Sequence, residues 1–159
     1  MNVNRLKKRE LGFTAIEILL SITMTAVLGA IAFFALNPVV RSADARNKLR
    51  FDHSTSILQA IQLYKTDNNG ALPNGLFNSM PVTQIGTQNS GCQNSCQGTT
   101  TDFCINLNGS LAKYLNPLPV EPQTGTQFVT GYYVSVDEHS VITVGACTNE
   151  EDTAVFVSE

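Results

Sequence analysis

The feature that most limits what this chain can fold into is an apolar run of 24 residues, 13–36. An α-helix rises about 1.5 Å per residue, so the run would be about 36 Å long, enough to cross the hydrocarbon core of a bilayer. It is longer than the apolar core of about 7–15 residues in a secretory signal, and it leads into Asn37-Pro38 rather than a small-residue cleavage site. We therefore predict a transmembrane helix over residues 13–36.

The charges on either side of this run predict its orientation. Four of the ten basic residues lie in the first nine positions: Arg5, Lys7, Lys8 and Arg9. Basic flanks stay in the cytoplasm, so residues 37–159 should lie outside the cytoplasmic membrane. Without residues 1–12 the chain has six basic and twelve acidic residues, a balance that argues against nucleic acid as the main partner.

A second basic cluster follows the apolar run and has two interpretations. It consists of Arg41, Arg46, Lys48 and Arg50. Such a cluster could bind phosphate, or it could be the solvated face of a helix. We favour the solvated face, because charge runs of this kind usually lie in solvent.

The carboxyl group of Glu17 is the exception inside the apolar run. A charge near the centre of a bilayer costs about 2.5–3.5 kcal/mol on insertion scales, so Glu17 should have a partner or a function. The alternative is that its side chain reaches the headgroup region, since it lies only five residues into the run.

The residues around Glu17 carry a family resemblance. Lys8-Arg9-Glu10-Leu11-Gly12 followed by Phe13-Thr14-Ala15-Ile16-Glu17 resembles the processing signal of type IV prepilins and the related pseudopilins of type II secretion. The resemblance consists of a basic leader ending in Gly, Phe as the new first residue, Glu as the fifth mature residue and an uninterrupted apolar run.

The resemblance implies a structural role in a filament. A prepilin peptidase would cut between Gly12 and Phe13, and the new amino group of Phe13 would be N-methylated. An assembly ATPase and a platform protein would then move the chain from the membrane into a helical homo-oligomer. There the Glu17 carboxylate can neutralise the Phe13 ammonium of a neighbouring subunit and favour one register.

The remaining sequence predicts an α+β, type IV pilin-like fold. The expected parts are a leader (1–12), a transmembrane or filament-core helix (13–36), an amphipathic half of the same long helix (37–66) and a globular head (67–159). Apolar residues recur at helical spacing from Leu49 to Tyr64, with His53 on the face that should be buried. Residues 70–103 read mostly as loop, and residues 108–114 as a short helix.

Three strands are predicted in the head, over residues 128–136, 140–146 and 154–157, with Asp137-Glu138-His139 as the first turn. We expect them to form a small antiparallel sheet that packs on the amphipathic half of the long helix. The Pro-rich stretch 114–122 and Gly131-Tyr132-Tyr133-Val134 resemble the segment before the sheet in compact pilin heads.

Four cysteines lie in the part predicted to leave the cytoplasm: Cys92, Cys96, Cys104 and Cys147. Disulfides form and persist there, so two are expected. Three pairings are open, and we favour Cys92–Cys96 with Cys104–Cys147. The spacing does not match a paired zinc knuckle, so we predict no metal site at the cysteines.

We predict no cofactor and no enzymatic activity. Glu121 and Asp137 supply only two carboxylates for a calcium ion, and His139 beside Asp137 reads as a solvated turn residue. The main alternative to a pilus subunit is a pseudopilin of a secretion or DNA-uptake system. A more distant alternative is a signal-anchored envelope module that is never processed.

Overall fold

The structure is a computed structural model, and it describes residues 12–92, 96, 98–99, 101–150 and 153–159. Residues 1–11 of the predicted leader lie outside the described residues. The chain divides into two compact units, one ending at Arg41 and one comprising Ser42–Glu159. Each unit is described by itself.

Two helices occupy the first part of the described chain. Helix α1 comprises Ala15–Leu36 and helix α2 comprises Pro38–Asp67. Between them Asn37 has left-handed backbone angles, φ 37° and ψ 67°, which end α1. Proline suits the first position of the next helix, because its missing N–H would have no intrahelical acceptor there. The predicted long helix is therefore present with an interruption at Asn37.

The second unit contains a four-stranded antiparallel sheet with the order β1-β2-β3-β4. Its strands are β1 (Met80–Gly86), β2 (Val129–Val136), β3 (Ile142–Ala146) and β4 (Phe156–Ser158). The last three are the predicted strands, with ends displaced by one or two residues. The connection between β2 and β3 is the predicted turn, where Asp137 Oδ1 accepts hydrogen bonds of 2.8 Å from the backbone N–H groups of His139 and Val141.

Strand β1 was not predicted, because residues 70–103 were interpreted as mostly loop. Thr83 and Gln84 are polar yet fully buried, and Pro81 is exposed at the start of the strand. Burial along β1 therefore does not follow hydropathy. A parallel bridge from Ile85 to Ile105 covers this edge of the sheet.

The core of the second unit lies between α2 and one face of the sheet. Ile57, Ala60 and Ile61 of α2 are at most 2% exposed. They share one cluster with alternate residues of β2 and β3: Tyr132, Val134, Val136, Ile142 and Val144. This packing confirms the predicted contact between the amphipathic helix and the sheet. Leu49 was wrongly expected on the buried face, since it is 42% exposed.

A third helix, α3 (Asn108–Leu111), leads towards the sheet and is shorter than the predicted 108–114. Leu111 is its buried residue and belongs to the same core cluster. The backbone N–H groups of Tyr114 and Leu115 still donate to the Leu111 carbonyl, so a turn continues beyond the helix.

Both expected disulfides are present, but the favoured pairing is wrong. The bonds join Cys92 to Cys104 and Cys96 to Cys147. Cys92 N donates to the Asp102 carbonyl, and Cys104 N donates to the Gln88 carbonyl. This backbone pairing brings the Cα atoms of Cys92 and Cys104 to 5.5 Å. Cys96 is then paired with Cys147, which directly follows β3.

Candidate processing and assembly segment

Helix α1 begins with a complete capping box. Thr14 is the N-cap residue, with extended backbone angles of φ −78° and ψ 150°. Its side chain accepts a hydrogen bond from Glu17 N at 3.4 Å. Glu17 Oε2 in turn accepts from Thr14 N at 2.9 Å and from Thr14 Oγ1 at 2.7 Å. The Thr14 N–H group gains an acceptor in this way, and the Glu17 N–H group, which also donates to the Thr14 carbonyl at 3.1 Å, gains a second one.

The predicted scissile bond lies directly before this cap. Gly12, Phe13 and Thr14 are not helical, and the Phe13 side chain is 84% exposed. A Cβ atom added to Gly12 would meet no atom within 4 Å. The peptide bond between Gly12 and Phe13 is therefore non-helical, and the described part of the chain does not cover it.

Sequence reasoning placed Glu17 in an assembly role and did not identify Thr14. The structure gives the Glu17 carboxylate a partner in its own chain, namely Thr14. The pattern Thr-x-x-Glu before an apolar run is a known sequence signature of a capping box, so the signal for Thr14 was present.

The surface of α1 is almost entirely apolar. Its large side chains are between 51% and 80% exposed, from Ile18 to Phe34. The hydroxyl groups of Ser21, Thr23 and Thr25 donate to carbonyl groups of the same helix at 2.7–2.9 Å. Because the hydroxyl donors are satisfied internally, α1 can enter lipid or pack against other apolar helices at low cost.

Length and composition permit α1 to cross a membrane. The helical stretch that begins at Ala15 is strongly apolar over the length of a membrane span, and none of that part is buried. The 22 residues of α1 correspond to about 33 Å along the helix axis. The chain thus contains one candidate membrane-spanning helix among the described residues.

A buried ion pair connects α2 with the segment that precedes β2. Arg50 and Glu121 are fully buried, and Arg50 Nη2 lies 2.5 Å from Glu121 Oε1. Glu121 Oε2 accepts from Gln123 N at 2.9 Å and from Thr124 N at 2.6 Å. Burial raises the pKa of Glu121, but the hydrogen bonds from Thr124, Arg50 and Gln123 outweigh it, so the net pKa is lowered.

Two glycines shape the backbone around this carboxyl group. A Cβ atom at Gly131 would lie 2.5 Å from the Cβ atom of Glu121, and Gly131 has φ +80°. A Cβ atom at Gly125 would collide with the backbone of Glu121. Both positions therefore require glycine for the Glu121 side chain to reach Arg50.

A second carboxylate holds the loop after β3 onto α2. Glu150 accepts from Arg46 Nε at 2.7 Å and from Arg50 Nη1 at 2.9 Å, while Asn47 Nδ2 donates to the Glu150 carbonyl at 2.9 Å. The hydrogen bond from Arg46 lowers the pKa of Glu150 to about 2.

These contacts correct the interpretation of the second basic cluster as a solvated helix face for Arg46 and Arg50, whereas Arg41 and Lys48 are exposed. Arg50 is 0% exposed, and the Arg46 side chain is 32% exposed and paired. Lys48 does remain in solvent, with its side chain 78% exposed. Sequence reasoning missed the pairs because Glu121 and Glu150 lie 71 and 100 residues from Arg50.

His53 is half-buried, and its Nδ1 atom lies 2.8 Å from the Tyr132 hydroxyl. Burial lowers the pKa of His53, against the opposing effect of Asp52, so the neutral form is favoured. Burial also raises the pKa of Tyr132. The pair therefore packs a neutral imidazole and a neutral phenol between α2 and β2.

The described residues contain no group of three or more His, Cys, Asp or Glu side chains that could hold a metal ion. Glu121 already binds Arg50, and Asp137 caps the turn where His139 lies with its side chain 76% exposed. Comparisons with protein-family models, with curated proteins and with solved structures found no match. The function is therefore inferred from the residues of the chain itself.

Proposed function

We propose that this chain is a type IV prepilin-like filament subunit, cut between Gly12 and Phe13 and assembled through α1. The observation that carries the proposal is the sequence Lys8-Arg9-Glu10-Leu11-Gly12 placed directly before Phe13, with Glu17 at the start of an exposed apolar helix. A basic leader, a small residue, an aromatic residue and one early carboxylate are combined in that order. Each is common alone, and their combination is specific.

The geometry near Gly12 supports cleavage at this bond. A peptidase needs a non-helical segment that it can surround, and exposed non-helical backbone is where chains are normally cut. Gly12 and Phe13 are exposed and precede the helix cap. Removal of residues 1–12 leaves α1 whole, so the product keeps its membrane helix.

The surface of α1 supports assembly by helix packing. Its large apolar side chains are exposed all along the helix. In a filament these surfaces would exchange lipid for the α1 helices of neighbouring subunits. The Glu17 carboxylate would then lie in a medium of low dielectric constant, where pairing with the Phe13 ammonium of a neighbour is favoured and an unpaired charge is costly.

The second unit suits an existence outside the cytoplasm. Its four cysteines are all in disulfides, which persist in oxidising compartments. The basic leader supports an orientation with the leader on the cytoplasmic side and the head on the other side. The head would remain in the periplasm or at the cell surface after assembly.

A pseudopilin of a secretion or DNA-uptake system would share every one of these features and differ in the length of its fibre. An unprocessed signal-anchored module would keep the α1 helix and the head and would retain residues 1–12. The state of the N-terminus therefore distinguishes the unprocessed module from a pilus subunit or a pseudopilin.

The test is the intact mass and N-terminal sequence of the membrane-extracted protein after co-expression with a prepilin peptidase. We expect a chain that begins at Phe13 and is one methyl group heavier than the unmodified product. Gly12→Val should block this conversion, whereas Gly29→Val is the matched control. A Cβ atom at either glycine meets no atom within 4 Å, so neither change disturbs the fold of the single chain.

A wild-type chain that keeps residues 1–12 in the presence of active peptidase would refute the proposal. Cleavage at another bond would refute the assignment of Gly12 and Phe13. Electron microscopy of the extracellular fraction then separates long pili from short pseudopili.

A further inference from the structure

We infer that the Thr14–Glu17 capping box keeps the scissile bond outside helix α1, which makes Thr14 a positioning residue for leader cleavage. The inference rests on the proposed function, since it concerns how the same bond is presented to the peptidase. It adds a requirement that the leader motif by itself does not contain.

The first step of the argument is the position of the cap. Thr14 is extended and its hydroxyl group both accepts from Glu17 N and donates to Glu17 Oε2. The Thr14 backbone N–H is held by the same carboxylate at 2.9 Å. That N–H is consequently unable to join a helix that continues from the N-terminal side. The box fixes the first helical residue at Ala15.

The second step is the helical tendency of the leader sequence. Residues 5–11 read Arg-Leu-Lys-Lys-Arg-Glu-Leu, all of which are good helix formers. The next upstream residue of the types that cap helices is Asn4. Without the cap at Thr14, Gly12 is the one poor helix former between Asn4 and Ala15, and an extended helix would enclose the bond that must be cut.

The third step is chemical. A peptide bond inside an α-helix has its N–H and carbonyl groups engaged in the helix and its flanking side chains wound around the axis. A peptidase would have to unwind that turn before it could reach the carbonyl carbon. A cap two residues after Gly12 removes this requirement, because the helix ends before the bond.

The experiment is a time course of cleavage of the full-length chain in membrane vesicles that contain a prepilin peptidase. Thr14→Val keeps the shape of the side chain and removes the hydroxyl group, and we expect cleavage to slow about fivefold, as loss of an N-cap implies. Thr14→Ser and Thr14→Asn restore a capping side chain and should cleave within about twofold of wild type. Thr25→Val is the matched control, since that hydroxyl bonds to the Ser21 carbonyl within the helix.

A second measurement reports the helix boundary without the peptidase. Carbon chemical shifts of Gly12 and Phe13 in the uncleaved full-length chain, recorded in micelles, should move towards helical values in Thr14→Val. They should stay at non-helical values in Thr14→Ser and Thr25→Val. Simple side-chain recognition by the peptidase would leave these shifts unchanged.

The outcomes separate the two proposals. A wild-type chain that is not cut after Gly12 overturns the proposed function and this inference together. A wild-type chain that is cut, with Thr14→Val cut at the same rate, overturns the inference alone. Equal slowing in Thr14→Val, Thr14→Ser and Thr14→Asn also overturns it, because the effect would then follow side-chain shape rather than capping.

Discussion

Replacing Arg50 by methionine should test how far the head depends on its buried ion pair. The Arg50 guanidinium contacts Glu121, Glu150, Asn47 and Gln123 and is 0% exposed. Methionine is close in length and apolar, so the change removes the donors without opening a large cavity. What remains is a buried Glu121 carboxylate whose Oε1 atom has lost both hydrogen bonds from Arg50.

The magnitude follows from that uncompensated charge. Removing one partner of a buried ion pair typically costs about 3–5 kcal/mol. Glu121 Oε2 keeps its hydrogen bonds from Gln123 and Thr124. We therefore expect Arg50→Met to lower the free energy of unfolding at neutral pH by about 3 kcal/mol, the lower end of that range.

The assay is urea unfolding of the full chain in detergent micelles, followed by near-ultraviolet circular dichroism of tyrosine. The chain has four tyrosines and no tryptophan, and Tyr132 is fully buried in the core. Lys48→Met is the matched control on the same helix, because Lys48 is 78% exposed and lies 3.9 Å from Asp52. It should leave the urea midpoint unchanged.

A double-mutant cycle isolates the charge. Glu121→Gln retains an oxygen acceptor for the backbone N–H groups and loses the charge. Arg50→Met with Glu121→Gln should then cost about 2 kcal/mol less than the sum of the single changes. Two results would refute a stabilising ion pair between α2 and the segment that precedes β2. One is additivity of the two single changes, and the other is an Arg50→Met chain as stable as the Lys48→Met chain.

Three further predictions concern the covalent, acid-sensitive and assembly features. The Cys96→Ser/Cys147→Ser variant should lose about 4 kcal/mol in urea unfolding and removal of the other disulfide about 3, since the closed loops span 51 and 12 residues. The pKa of Glu150 is about 2 against an ordinary 4.5, so its stabilising effect is complete above pH 4.5 and is lost as the pH falls towards 2. Glu150→Gln should therefore make the urea midpoint less dependent on pH across that interval. A midpoint that falls with pH as steeply as in the wild type would contradict the pairing of Glu150 with Arg46. Glu17→Gln should still be cleaved, because glutamine can complete a capping box, but should yield fewer filaments in sheared-cell fractions; undiminished filaments would contradict the charge-pair role.

The elements that sequence patterns predicted well are those whose signal is local. The apolar run, the amphipathic face of α2 around Ile57 and Ile61, and the alternation in β2 each repeat within a few residues. Hydrophobic burial enforces such patterns, so the helices and three strands were predicted with small errors at their ends. Strand β1 lacks the pattern because Thr83 and Gln84 are polar yet fully buried. The Thr83 hydroxyl donates to the Pro81 carbonyl, and the Ile105 segment covers this edge, with Ile105 N donating to the Gln84 carbonyl.

The pairing of Cys92 with Cys104 could not be predicted because it depends on backbone hydrogen bonds between residues 88–92 and 102–104, which the spacing of the cysteines does not encode. Cys92 and Cys96 are close in sequence, which favoured joining them. The backbone pairing of Cys92 with Asp102 instead brings Cys104 to Cys92. A disulfide follows the proximity of Cα atoms in the folded chain, and this proximity arises from contacts about ten residues apart.

Thr14 and Arg50 show the difference between a polar residue whose partner is near in sequence and one whose partner is distant. The capping role of Thr14 can be predicted from four consecutive residues, since its partner Glu17 is one helical turn away. The role of Arg50 depends on a carboxylate 71 residues later, and nothing near Arg50 distinguishes it from exposed Lys48. If a peptidase cleaves the chain before α1 packs with other subunits, the contacts that position the scissile bond must be local, because only the single chain is then present. The head has no such constraint, and its stabilising contacts therefore join segments that are distant in sequence.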